Sequence, residues 1–570
     1  MRGGDGGRRR PRERRGRPAL IAAATALALL LVPAAAPAAP TWLAPQRVSA
    51  PGQESVGPTV AMDAAGGVVA AWLHSGGIFN DHVEASFRAA GPGQSFTAPQ
   101  VISGKGSLIG IVPEVAVDPQ GNAIAIVTLA GSVEAAFRPA GGSFGAPQAI
   151  SPPGSNQPRV AFDAEGNAIA VWERQPGGNH QVEAAFRPAG GVFGAPQVIS
   201  NPAANSRFPE LAVGPRGDAV VTWISFAGVG DQRIEAALRP PGGGFGAPQL
   251  LTKPGQEAKL HQVGIDAQGN AVAVWTRWDG AYLLEAAYGS VAAGFGAPHG
   301  LAGKGAFVSQ PQLAVNPDGH AIAVWTRGNG GLEDHIEGSF RPAGGSFGPV
   351  QDISGETNSN FPSVAIDPNG NALTVWRRYD GTRNHVEASY RPLAGPFGPA
   401  VPVSPADQSA DDAAVATDAQ GNAVTVWRNG TAVPYQIEAA GFDAAGPQLR
   451  NLSIPATAER GEPASFSVSP FDVWSQVAST SWSFGDGASA QGEAVRHAFA
   501  KVGTYHVTVT STDAVGNSST ATATVRVRDT IKPRISKLRV TPRAVRPAGK
   551  GGRKGARGSA APKGRKAKGA

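Results

Sequence analysis

A glutamate recurs at eight places, Glu84, Glu134, Glu183, Glu235, Glu285, Glu337, Glu387 and Glu438, spaced 49 to 52 residues apart. Carboxylates can act as general acids and bases, but that chemistry needs one or two whose surroundings are made unlike, not eight alike. Four of the eight share their repeat with an arginine two residues past a tryptophan: Arg174, Arg277, Arg327 and Arg378. Alternation along a strand puts that arginine on the tryptophan's face, so a cross-strand Glu–Arg pair is the expected role. Histidines open the same segments in four repeats (His82, His180, His335, His385), one per repeat, and so do not converge on one ion. The spacing therefore predicts no catalytic set, no metal site and no cofactor.

The elements that hold these residues form a repeat. Its anchors are Asp63, Asp118, Asp163, Gly214, Asp266, Asn316, Asp367 and Asp418; glycine follows three residues later in every copy, and tryptophan nine later in all but one, where Val127 stands. Repeat 3 reads as strand A (Arg159 to Phe162), a turn at Asp163-Ala-Glu-Gly166, strand B (Ala168 to Trp172), strand C (Val182 to Phe186) and strand D (Ala195 to Ser200). An aspartate opening a turn accepts backbone hydrogen bonds from residues just ahead, and glycine supplies the left-handed residue that closes the hairpin. Four strands per unit of about fifty residues describe a propeller blade. The last repeat lacks strand D, whereas Ala44-Pro-Gln-Arg-Val-Ser49 matches strand D and precedes any strand A. The expectation is all-β: an eight-bladed β-propeller over 44–443, its ring closed by the N-terminal strand, followed by an immunoglobulin-like β-sandwich over 448–528.

The Asp-x-x-Gly-Asn hairpin, as in Asp367 to Asn371, resembles bacterial secreted β-propeller repeats, a resemblance that implies fold and not activity. Sialidase Asp-boxes and the tryptophan-docking motif of quinone-dependent dehydrogenases do not fit, because here glycine lies at +3 and tryptophan at +9. Past Gly446 a second pattern appears: Trp482-Ser-Phe-Gly-Asp-Gly487, His497-Ala-Phe499 and Gly503-Thr-Tyr-His-Val-Thr-Val509. It resembles a polycystic-kidney-disease (PKD) domain, which implies a spacer or a carbohydrate- and protein-contact module rather than a catalyst.

Composition adds bounds. There is no cysteine, which excludes disulfides, thiolate metal sites and a cysteine nucleophile. An arginine-rich start to Arg17, an apolar run Ala19 to Val32 and small residues at Ala36-Pro-Ala38 read as a signal peptide over 1–38, too short in its apolar part to span a bilayer. The export route, ordinary secretory or twin-arginine, stays open. Of the net charge of +7, residues 1–17 carry +6 and residues 529–570 carry +13, leaving the body at −12. The propeller is therefore not expected to bind nucleic acid. The basic tail, 529–570, reads as disordered and able to meet an anionic wall polymer.

Function is then expected where the copies differ. The B–C and D–A loops vary and share one face of the ring, and variable loops on a rigid scaffold carry binding residues. The ligand-binding candidates are Phe79, Trp278, Asp279, Tyr282, Glu333, Asp334, Tyr379 and Asp380. The expected function is a secreted, non-catalytic binding or scaffold protein of the bacterial cell envelope whose partner is an extracellular glycan or protein. The alternative is a carbohydrate-active hydrolase or lyase, which would need an asymmetric pocket with close carboxylates.

Overall fold

Seven of the eight anchor tryptophan positions hold indoles with no exposed surface, and every one lies against a neighbouring blade. A computed structural model shows why; it describes residues 40–77, 80–106, 112–305, 307–329, 333–355, 358–530 and 539. The expected signal peptide, Phe79 and all of the tail beyond Thr530 except Arg539 lie outside the described residues. Among those residues there is no helix, and hence none long and apolar enough to cross a membrane.

Blade 3 is representative. Its strands, Ser155–Phe162, Ala168–Arg174, Gln181–Arg187 and Gln197–Val198, pair in that order as one antiparallel sheet. The same four-strand order recurs in blades 1, 2, 6 and 7, and blades 4 and 5 are joined by a single parallel pairing between Gln232 and Glu257. Strand D is only two residues long here, shorter than the sequence implied, because Pro196 has no N–H to give the ladder. A short outer strand also leaves little open edge for other chains to join.

Eight apolar cores lie between consecutive blades, from 1–2 through 7–8 and back to 8–1. That cyclic series closes the ring at eight. The eighth blade consists of Ala410–Thr417, Ala423–Asn429 and Gln436–Asp443, completed by N-terminal Gln46–Arg47, which pairs with Ala439 and Glu438. Ser49 Oγ accepts from Ile437 N at 2.9 Å, the bond Ser200 Oγ makes with Val182 N in blade 3. The first residues of the fold thus occupy the place strand D has elsewhere.

The sandwich that follows packs Gln448–Ser453, Ala464–Phe471 and Ala494–His497 against a five-stranded sheet built on Gly503–Asp513 and Ser518–Arg528. Alternation sends Val507, Val509, Val525 and Val527 inward onto Phe466, Trp482, Phe484 and Phe499. Asp486 serves the turn, accepting from Ala488 N, and its other oxygen meets His497 Nε2 at 2.8 Å.

The two domains are in contact. Val473 and Trp474 of the sandwich join the core between blades 8 and 1. At five of the other seven contacts, an arginine ending strand C lies over an aromatic ring of the blade before it, as Arg187 over Phe137 at 4.1 Å and Arg391 over Phe340 at 3.7 Å. In blade 8 the aromatic position is Gly441, and a Cβ there would come within 2.7 Å of Trp474. Arg88 of blade 1 lies over Trp474 instead, at 3.9 Å.

Candidate functional site

The repeated polar residues are consumed by the scaffold. Each strand-C glutamate sits directly across from the tryptophan position, and in blades 1, 3, 4, 5 and 6 the indole Nε1–H donates to it: Trp72 to Glu84 at 3.1 Å, Trp172 to Glu183 at 3.0 Å, Trp325 to Glu337 at 2.8 Å. The expected Glu–Arg pairs form on the second oxygen, Arg174 to Glu183 at 3.1 Å and Arg277 to Glu285 at 2.9 Å. The indole donor was not anticipated from sequence, though it follows from the register. Anchor aspartates are equally engaged. Asp163 Oδ1 accepts from Glu165 N and Asn167 N, Oδ2 accepts from Asn167 Nδ2, and Asn167 Oδ1 accepts from Ala189 N in the C–D turn. The four histidines each face a local carboxylate, as His385 faces Asp380 at 2.8 Å.

Symmetry breaks at the mouth of the central channel. Strand A of seven blades, with Val112 of blade 2, lines the channel, and in those seven the pairing with strand B slips by a bulge. A proline usually follows the bulged residue and cannot donate to the ladder, so the slip has a local cause. The bulged residue is left-handed: Gly57 at φ 59°, and Gln157, Phe208, Leu260, Gln310, Phe361 and Asp412 at φ 52° to 56°. Six non-glycine residues in this region mark stored strain, of about 1 kcal/mol or more each. Neighbouring side chains hold the exposed N–H groups: Glu173 accepts from Phe208 N at 3.0 Å, and Gln310 from Phe361 N at 2.9 Å.

A bulge shared by seven blades thus displays glycine, glutamine, phenylalanine, leucine or aspartate in turn around a cavity of about 780 Å³. Phe208, Leu260 and Phe361 are 37%, 44% and 48% exposed, an apolar rim. Below it, four residues before each anchor, the blades carry Thr59, Glu114, Arg159, Glu210, Gln262, Gln312, Ser363 and Ala414. Arg159 holds Glu210 through two bonds of 2.9 and 3.0 Å and Glu114 at 3.3 Å, tying blades 2, 3 and 4 together. Burial raises the Glu114 carboxyl despite the pull of Arg159. His261 replaces the proline of most copies; it is 3% exposed, its Nε2 has no partner among the described residues, and burial lowers its pKa.

The seven described loop candidates form three separate groups, and none lines this cavity. Trp278 and Tyr282 meet ring to ring at 4.7 Å in the blade 5 hairpin, with Asp279 beside them paired to Arg277 and Lys304 and its carboxyl lowered chiefly by the Lys304 hydrogen bond. Glu333 accepts from Asn329 in blade 6, and neighbouring Asp334 is buried. Tyr379 donates to Gly381 O in blade 7, while Thr382, Arg383 and His385 hold the Asp380 carboxyl well below its usual range. The channel residues escaped notice because they sit inside strand A, a regular part of the repeat. Aligning the eight copies six and four residues before the anchor shows two columns that vary in size and charge, which is the signal that marks them.

A distinct group could hold a cation. Asp443, Asp472 and Asp513 offer carboxylate oxygens within 4.8 Å of one another, all buried.

Residues 444–527 match the family model of the PKD domain. No curated protein sequence matches the chain. Similar solved structures include the BP39L lectin from Burkholderia pseudomallei, at 12% identity over 62% of this chain and 100% of that one, with a TM-score of 0.46. A polysaccharide lyase of family PL25, an ulvan lyase, is 10% identical over 56% and 90%, with a TM-score of 0.40. The PKD1 domain of the Vibrio cholerae metalloprotease PrtV is 30% identical over 15% of this chain and 99% of that one, with a TM-score of 0.13. The chain is a β-propeller protein with a PKD domain at its C-terminal side.

Proposed function

We propose that this chain is a secreted, non-catalytic binding or scaffold protein of the cell envelope, contacting a glycan or protein through the face that carries the channel mouth and the variable loops. The observation that carries this reading is the contrast between repeated polar residues, already bonded within the scaffold, and the unequal ring of Gln157, Phe208, Leu260, Gln310, Phe361 and Asp412. Exposed Phe and Leu above amide and carboxyl groups suit a ligand with one apolar face and several hydroxyl or amide groups. The loop groups at Trp278, Tyr282 and Tyr379 would extend that contact. Binding on a glycan array and to envelope proteins should fall at least tenfold in a Phe208→Ala, Phe361→Ala double variant; unchanged binding to a confirmed ligand would move the site off the channel.

One observation favours the carbohydrate-active reading: Glu114 and Glu210 flank Arg159 and differ in environment, Glu210 holding it through two bonds and Glu114 through one contact of 3.3 Å. Turnover on a polysaccharide panel that disappears in Glu114→Gln or Glu210→Gln would establish it; no turnover on any member would leave binding.

A further inference from the structure

His261 is the odd member of its column. Six of the eight copies carry proline five residues before the anchor, as Pro158 and Pro362 do, and blade 8 carries Ala413; blade 5 alone puts a hydrogen-bonding ring there. One ring nitrogen donates to the backbone of Thr222, and the other, Nε2, is buried with no partner among the described residues. With its proton on the Thr222 side, the ring presents Nε2 as an acceptor. Burial is the largest influence on this ring and lowers its pKa, so it is uncharged at neutral pH. A buried acceptor without a donor is costly, and most copies avoid that cost with proline. The exception is accounted for if an O–H donor arrives from the cavity that His261 lines.

The charges around that cavity cancel. Its lining holds Arg159, Lys259, Glu210 and Asp412, two of each sign, and every one already has a partner: Arg159 with Glu210 at 2.9 Å, Lys259 with Glu257 at 3.2 Å, Asp412 with Arg428 at 3.1 Å. An anionic ligand would have to draw a cation from a carboxylate that would then stand unpaired beside it. Amides are the polar groups left over. Gln157, Gln232, Gln262 and Gln312 line the cavity, and their side chains make no hydrogen bond among the described residues. An amide both donates and accepts, which matches a sugar hydroxyl. Phe208 and Phe361 add exposed rings for the apolar face of a sugar.

We propose that the channel mouth binds an uncharged sugar unit of a neutral glycan and discriminates against uronate and sulfated glycans, with His261 Nε2 accepting from one sugar hydroxyl and the glutamine amides bonding others. This names the ligand class for the channel mouth and rests on the reading of that mouth as the binding site. His261 sets specificity, because a site with a buried acceptor rejects an analogue that lacks the matching hydroxyl. Attraction between net charges contributes nothing here, so binding is nearly independent of salt.

The test prints neutral oligosaccharides of glucose, galactose, mannose and N-acetylglucosamine beside uronate and sulfated oligosaccharides, and probes them with the full chain. The expected result is binding confined to the neutral set, with an affinity that changes less than about twofold between about 50 and about 500 mM sodium chloride. His261→Pro installs the residue of six other copies, so the blade should fold; His261→Phe keeps the bulk of the ring without the acceptor. Each should weaken binding of the neutral ligand about tenfold or more, with unchanged circular dichroism. Among monodeoxy analogues of the bound sugar, one should bind the parent chain about tenfold more weakly than the sugar does, yet bind His261→Phe equally well. Undiminished affinity in both His261 variants would overturn the role of His261. Preference for an anionic glycan that still depends on Phe208 and Phe361 would overturn the neutral ligand and leave the channel reading standing. Failure of every printed glycan to bind at about 1 mM, whatever protein is captured instead, would overturn the proposal. A glycan held equally well by the Phe208→Ala, Phe361→Ala double variant and by both His261 variants would overturn the channel reading as well.

Discussion

Between blades 2 and 3, the contact is made of two copies of one sentence: Arg187 of one lies over Phe137 of the other. Between blades 8 and 1, the arginine is a copy, Arg88, but its aromatic partner comes from another domain, and the copy that should have supplied a ring supplies Gly441. A repeat packs against itself because each unit has the knob its neighbour needs. The last unit cannot rely on this at the point where the chain must leave the ring. The PKD domain therefore does more than space the propeller from something else, since it fills the gap left by the exit.

The largest test of that difference is Trp474→Ala, expected to cost about 3–5 kcal/mol as for other large buried aromatics, and to lower the first calorimetric transition. Phe137→Ala, at a regular seam and part-exposed, should cost clearly less; equal losses would mean the closing seam is not special.

Acidity gives a second probe. Asp443 and Asp472 are raised in the folded state, so their protonation stabilises the joint below the unfolded pKa near 4, and that contribution is lost as pH rises through about 7. In chelator, thermal scans from pH 4 to 8 should show the joint transition falling by roughly 5 °C, and Asp443→Asn should flatten the trend. A trend in the opposite direction would refute the assignment.

Gly441→Ala inserts a methyl where Trp474 already sits, and overpacking of this kind costs about 1–3 kcal/mol. Denaturant midpoints would measure it.

The scaffold pairs offer a smaller contrast. Glu183→Gln removes the charge between Trp172 and Arg174 and should cost about 1–2 kcal/mol. In blade 8, Trp427 Nε1 and Glu438 Oε2 lack partners among the described residues, so Glu438→Gln should cost under about 0.5 kcal/mol. A change of opposite sign is expected at the mouth: Leu260→Gly relieves a left-handed leucine and should be neutral to about 1 kcal/mol stabilising, while loss of ligand binding would tie that strain to function.

Much of this was legible beforehand. The Asp-x-x-Gly turn, the tryptophan period and the stray Ala44 to Ser49 segment are local patterns, and local backbone and burial rules convert them directly into hairpins, blades and a closing strand. The channel ring was written in the same repeat but hidden by it. Its left-handed residues can be Phe, Leu, Gln or Asp, so no residue type announces the bulge, and only the register slip between strands A and B shows that these side chains face one cavity.

Sequence alone determined the period, the all-β architecture, the PKD pattern and the phase of the ring, because those depend on contacts between residues close in the chain or repeated along it. Tertiary structure decided which residues meet across long separations: Arg159 with Glu114 and Glu210, Arg88 with Trp474, and Asp443 with Asp472 and Asp513. Those meetings arise from closing a ring and docking a second domain on its seam, and no spacing along the chain encodes them.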